Sequence, residues 1–153
     1  VALQRLLRQA YARRRCAPAA VDLLVTDDAR IRILNRRFRH EDGATDVLAF
    51  EDGGREPRTG RRHLGDIVVS LTTARREGAS RALRWTDELA LYAVHGLLHL
   101  LGMRDGTAAG AQAMRQAAVR EFAACGLRSD RLFAPIRRPE RPAPRRRPAG
   151  KKR

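Results

Sequence analysis

Apolar positions recur every three to four residues over residues 2–15, at Leu3, Leu6, Leu7, Ala10 and Tyr11, with arginines on the other face. That period predicts an amphipathic helix packing by one side. Beyond Pro18 the pattern changes: VDLLVT, residues 21–26, is a short apolar run bounded by Asp27 and Asp28. It predicts a buried strand, with a helix capped and opened at the aspartates. Along DARIRILNRRFRH the apolar face carries Ile31, Leu34 and Phe38, while Arg36, Arg37, Arg39 and His40 crowd the C-terminal end, where the helix dipole favours cations.

Asp42 and Gly43 signal a turn, residues 46–50 a second strand, and HLGDIVVS at 63–70 a third. Strand, helix, strand implies a parallel crossover between the first two strands. Only the aperiodic segment 51–62, rich in glycine, proline and charge, separates the second from the third, which predicts an antiparallel pair. A short helical turn is expected at 73–77. Thr86 of TDEL then fits an N-cap for a helix through Leu89, Leu91, Val94 and Leu98 to Leu101. This helix is apolar on several faces, as burial against a sheet demands. A last helix over 107–124 presents Met114, Ala118, Val119 and Phe122 on one side and closes at Gly126. The fold class expected is α/β (α+β): one domain with a small mixed sheet packed against a central buried helix.

Composition adds a boundary and a partner. Residues 135–153 combine regularly spaced prolines with nine basic residues and one acid, so no core is possible there. The expected division is a folded domain over 1–134 and a disordered basic tail over 135–153. The whole chain has 32 basic and 17 acidic residues, a formal charge of +15, which points to a polyanion such as RNA. All but two of the basic residues are arginine, a bias that base composition explains more readily than phosphate binding does. Cys16 and Cys125 stand far apart outside any C-x-x-C pattern, which suits a reducing cytoplasm. Neither a secretory h-region nor an apolar membrane span is expected. Cytoplasmic localisation, no membrane partner and a monomeric chain are therefore the expectations.

The candidate chemistry lies in HGLLHLLGMRD, residues 95–105. His95 and His99 are i and i+4, so a helix projects both from one face. Gly102 lets the chain reverse, and Asp105 can then fold back as a third, oxygen ligand, leaving a fourth position open for water. The plainer reading is a pair of half-buried core histidines bonded to carbonyls. The chain has only four histidines; two of them in this spacing, with a glycine and an aspartate beyond, shift the balance towards a metal.

In this order, LNRRFRHEDGATDVLAF, LGDIVVS and HGLLHLLGMRD resemble the motifs of the YbeY family of bacterial rRNA maturation factors, across most of residues 20–125. The resemblance implies a single-strand-specific, metal-dependent endoribonuclease acting on ribosomal RNA of the small subunit, at the 3′ end of 16S rRNA, with roles in ribosome assembly and quality control. It also implies one Zn2+ per chain. The family's three ligands are histidines at positions 1, 5 and 11 of the last motif. The first two fall on His95 and His99. The third falls on Asp105 in the gapless register, whereas the alternative register puts Gly106 there and leaves the site one ligand short. The family's functional arginine falls on Arg39, so the expected catalytic residues are Arg39 and His95, and the expected metal ligands His95, His99 and Asp105.

Gly96 stands where H-E-x-x-H metalloproteases carry their general base, so proteolysis ranks low. Asp46 and Asp66 read as capping or supporting residues rather than bases. The competing function is a non-catalytic, zinc-stabilised RNA-binding factor in ribosome assembly.

Overall fold

A computed structural model describes residues 2–14 and 19–126; the tail expected at 135–153, the domain boundary at 134 and Cys16 lie outside them. The elements run α1 (Ala2–Ala12), β1 (Ala19–Thr26), α2 (Asp28–Arg39), β2 (Val47–Glu51), β3 (Arg62–Ser70), α3 (Leu71–Ser80), α4 (Trp85–Leu100) and α5 (Ala108–Ala124). The three strands form one mixed sheet in the order β1-β3-β2. Strand β3 takes the centre because it is apolar on both faces. Ile67 and Val69 join the cluster under α4, and Val68 packs with Ile31 and Leu48 under α2. The expected α+β class, with a small sheet against a histidine-bearing helix, is the one observed.

Four local expectations change. The first two strands do not pair: β1 runs parallel to β3, while β2 runs antiparallel to it, Val47 opposite Val69 through Glu51 opposite Gly65. The parallel crossover thus joins β1 to β3, and only the antiparallel β2–β3 pair stands as expected. Strand β1 is not buried but an edge, with Leu24 and Val25 exposed at 54% and 43%. Its apolar run looked like a core strand, but a three-stranded sheet has two edges to fill. Thr86 is not a cap: α4 begins at Trp85, because the amide of Leu83 donates to the Gly78 carbonyl at 2.8 Å and closes a tight α3–α4 turn. Likewise α3 is a full helix rather than a turn, its first amides met by Ser70, whose hydroxyl accepts from the Thr73 amide at 3.1 Å.

Ten of the sixteen residues of α4 are buried. One side lies on the sheet and another packs with α1 and α5 around Leu6, Val94, Leu98, Met114 and Phe122. Among the described residues no helix is long and apolar enough to cross a membrane. Helix α2 covers the other face of the sheet. Its N-terminus is tied to α3 through Asp28, which accepts from the Ser70 and Thr73 hydroxyls and pairs with Arg76 at 2.9 Å. Burial alone raises the Asp28 pKa, but those hydrogen bonds hold its carboxyl below the ordinary aspartate range. The anchor sets the angle at which α2 delivers Arg39 at its far end.

Helix α4 touches the sheet most closely at Gly96. A Cβ there would sit 2.7 Å from Ile67 Cγ2 and 3.1 Å from Val47 Cγ2. Both neighbours are β-branched and stiff at χ1, so they yield little. Gly65, at φ 142° on β3, would place a Cβ 1.9 Å from the Phe50 carbonyl oxygen. Gly96→Ala gains about 1 kcal/mol of helix propensity against overpacking of up to about 3 kcal/mol. Its expected net cost is therefore about 2 kcal/mol, measured as a lower urea midpoint. Gly65→Ala meets backbone instead of side chain and should lower the midpoint further; equal midpoints for Gly96→Ala and wild type would contradict the close approach.

Candidate metal centre

Because Gly96 turns one side of α4 into the sheet, His95 and His99 project towards the sheet's β2 end. The helix stops in a Schellman arrangement. The Gly102 amide donates to the His99 carbonyl at 2.9 Å, the Met103 amide to the Leu98 carbonyl at 3.0 Å, and Gly102 takes φ 87°. That reversal carries Asp105 back over the helix end. His95 Nε2 and His99 Nε2 are 3.1 Å apart, and Asp105 Oδ2 lies 3.3 Å and 3.7 Å from them.

Those separations suit one small cation. Bonds of about 2.0–2.1 Å in a tetrahedron place neighbouring donors about 3.3 Å apart, close to the three values seen. Two imidazole nitrogens and one carboxylate oxygen are also a donor set that zinc accepts. The tautomer is compatible: His99 Nδ1 lies 3.1 Å from the Met103 carbonyl, and as an N–H donating there it leaves Nε2 with its lone pair facing Asp105. The rings meet edge to face at 87°.

The cluster opens into a cleft of about 580 Å3 lined by Arg39, Thr45, Asp46, Val47, Ala49, Glu51, His95, His99, Arg104, Asp105 and Gly106. Arg39 arrives from the opposite face of the sheet. His40, in the left-handed conformation at φ 61°, ends α2, and the buried Asn35 donates to the Gly43 carbonyl at 2.9 Å, folding the following loop back against the helix. The Arg39 side chain makes no hydrogen bond or ion pair with any described residue. All four candidate residues named from the sequence therefore share one cleft.

Asp46 lines it as well, and also caps: its Oδ1 accepts from the Val47 amide at 2.8 Å. Asp66 does not reach the cleft. It stands opposite Asp22 across the β1–β3 pair, with His63 Nε2 3.5 Å from Asp22 and 3.7 Å from Asp66. His63 Nδ1 also meets Asp52 Oδ2 at 2.9 Å, and that hydrogen bond, together with the charges of the other two carboxylates, raises the His63 pKa against the effect of burial. Sequence reading passed over Arg104 and Glu51. Arg104 donates to the His99 and Met103 carbonyls at 2.9 and 3.0 Å and pairs with Glu51 at 2.5 Å, fastening the ligand turn to β2. Its one signal in the sequence is that it directly precedes Asp105.

Burial, and then the neighbouring His99, lower the His95 pKa below its usual value despite Asp105 and Asp46. The unfolded chain then binds more protons in the window below the ordinary value, so His95 contributes stability that grows as pH rises through that window. In metal-free protein the His95 imidazole should titrate below the ordinary 6.5 by NMR. Asp105→Asn, which removes a raising charge, should lower it again. A midpoint at or above the ordinary value would contradict this electrostatic picture.

The family model of Endoribonuclease YbeY matches residues 2–125. An Endoribonuclease YbeY of Moorella thermoacetica is 45% identical over 136 residues, covering 82% of this chain and 86% of the relative. One from a Synechococcus strain is 50% identical over 91 residues, 56% of each chain. A solution structure from Thermotoga maritima superposes with a TM-score of 0.53 at 20% identity over 80% of each chain, a likeness of fold.

Proposed function

The chain belongs to the YbeY endoribonuclease family, and from that premise we propose that it cleaves single-stranded RNA with a metal ion held by His95, His99 and Asp105. The observation that carries the proposal is the convergence of three donor atoms at 3.1–3.7 Å in a cleft also lined by Arg39, which has no hydrogen-bond or ion-pair partner among the described residues. Zinc bound there would act as a Lewis acid towards the phosphodiester and would ease deprotonation of the attacking water.

The protein's own groups divide the remaining work. Arg39 holds the scissile phosphate through its planar fork and offsets the charge that grows on the phosphate oxygens. His95 and His99 offer their Nε2 atoms to the metal, and the Met103 carbonyl, 3.1 Å from His99 Nδ1, keeps the His99 ring in place. Asp105 stands for the third histidine of the family motif. It would preserve the ligand count while adding negative charge, which would make a metal-bound water less acidic than an all-histidine set would. Gly96 has no space for even a Cβ, so the glutamate base of H-E-x-x-H peptidases has no place here. The substrate assigned by family resemblance is small-subunit ribosomal RNA near the 16S 3′ end, met in the cytoplasm by a monomeric chain during ribosome assembly. The basic segment 135–153 gathers RNA without sequence preference, adding salt-sensitive affinity.

Metal analysis of the purified full chain should find one zinc per protein, lost in Asp105→Ala and kept in Asp105→His. An Asp105→Ala variant that holds as much metal as wild type would remove Asp105 from the ligand set. With metal content unchanged, Arg39→Ala should slow cleavage of a single-stranded oligoribonucleotide by about 100-fold. Tight, salt-dependent RNA binding by metal-loaded wild type without cleavage would favour the non-catalytic assembly-factor reading instead.

A further inference from the structure

We propose that Phe38 is a stacking platform for a base of the single strand whose phosphate Arg39 holds, so that it positions substrate beside the metal cleft; this rests on the RNA-cleavage reading above. Phe38 is 53% exposed although it belongs to the apolar pattern of α2. Its ring meets Phe50 at 5.0 Å between centroids and 64°, and the Arg37 guanidinium lies 5.3 Å from its centroid. An aromatic ring, braced by a second ring and accompanied by a planar cation, offers what an unpaired base seeks: a π surface and a guanidinium plane.

Placement connects this pair to the cleft twice. Phe38 directly precedes Arg39, and Phe50 lies between Ala49 and Glu51, three residues that line the cleft. Strand β2 is an edge of the sheet, so a strand of RNA leaving the cleft crosses its rim to reach the ring. The exposed arginines 36, 37 and 39 supply charge for its phosphates. The alternative role, an apolar cover over Phe50 and the Ile31–Leu48–Val68 cluster, asks only for bulk, and leucine provides that. Stacking asks for a ring, and it selects single strands because duplex bases already stack on one another.

The test uses the metal-free full chain, so that no cleavage intervenes, and fluorescence anisotropy with three labelled probes: a single-stranded oligoribonucleotide, a blunt duplex of the same length and an abasic strand. Phe38→Leu should bind the single strand roughly tenfold more weakly, with the duplex and abasic probes bound as by wild type and the salt slope unchanged. Phe38→Trp should keep wild-type affinity, and the emission it adds to the protein should be quenched by the single strand. Equal single-strand affinity in Phe38→Leu and wild type, an equal loss on the abasic probe, or unquenched emission from Phe38→Trp would overturn the stacking role while leaving RNA cleavage standing. Failure of wild type to bind the single strand at all would overturn the stacking role, and the same failure in metal-loaded wild type would overturn RNA cleavage as well.

Discussion

The packing of α4 directly onto the sheet at Gly96 is the constraint on which the site depends. With the Ile67 and Val47 methyls where a Cβ would go, the helix has one rotation about its axis that brings it this close. In that rotation His95 and His99 cannot turn into the core; they face the cleft. The same contact separates this arrangement from a peptidase helix with two histidines at the same spacing. The residue after the first histidine points into the sheet, so the chemistry of the site must come from other elements.

Those elements arrive from both faces of the sheet. The turn at Gly102 and Met103 returns Asp105 to the imidazoles, and its carbonyl at Met103 also orients His99, so one loop supplies a donor and sets a tautomer. Arg104 pins that loop to Glu51 of β2. From the opposite face, α2 brings Arg39 around the edge strand, its direction set at one end by Asp28 and at the other by the Asn35–Gly43 hydrogen bond. Hydrogen bonds and an ion pair hold the three candidate ligands in place, whereas Arg39 is left exposed at the cleft.

The site was more legible in the sequence than the topology around it. A helical spacing of two histidines and a glycine that reverses the chain are local signals, and local geometry is enough to place them. Which strands pair, and in which direction, is decided by distant partners. VDLLVT carries the composition of a core strand, yet its neighbour β3 has the stronger claim to the centre because both of its faces are covered. Thr86 matched a cap pattern, but the contact between Leu83 and Gly78 started the helix earlier. Phe38 matched the apolar face of α2, and only the folded structure shows that face running past the edge of the sheet. Arg104 is one arginine in a chain full of them, and its importance lies in carbonyls that the fold brings to it.

The most direct measurement is zinc K-edge X-ray absorption on the full chain loaded with one equivalent of zinc. Two imidazole ligands and light oxygen neighbours at about 2.0–2.1 Å are expected, with no sulfur near 2.3 Å. A sulfur neighbour, or a shell of water without the imidazole scattering pattern, would contradict the assignment of His95, His99 and Asp105 as the metal centre.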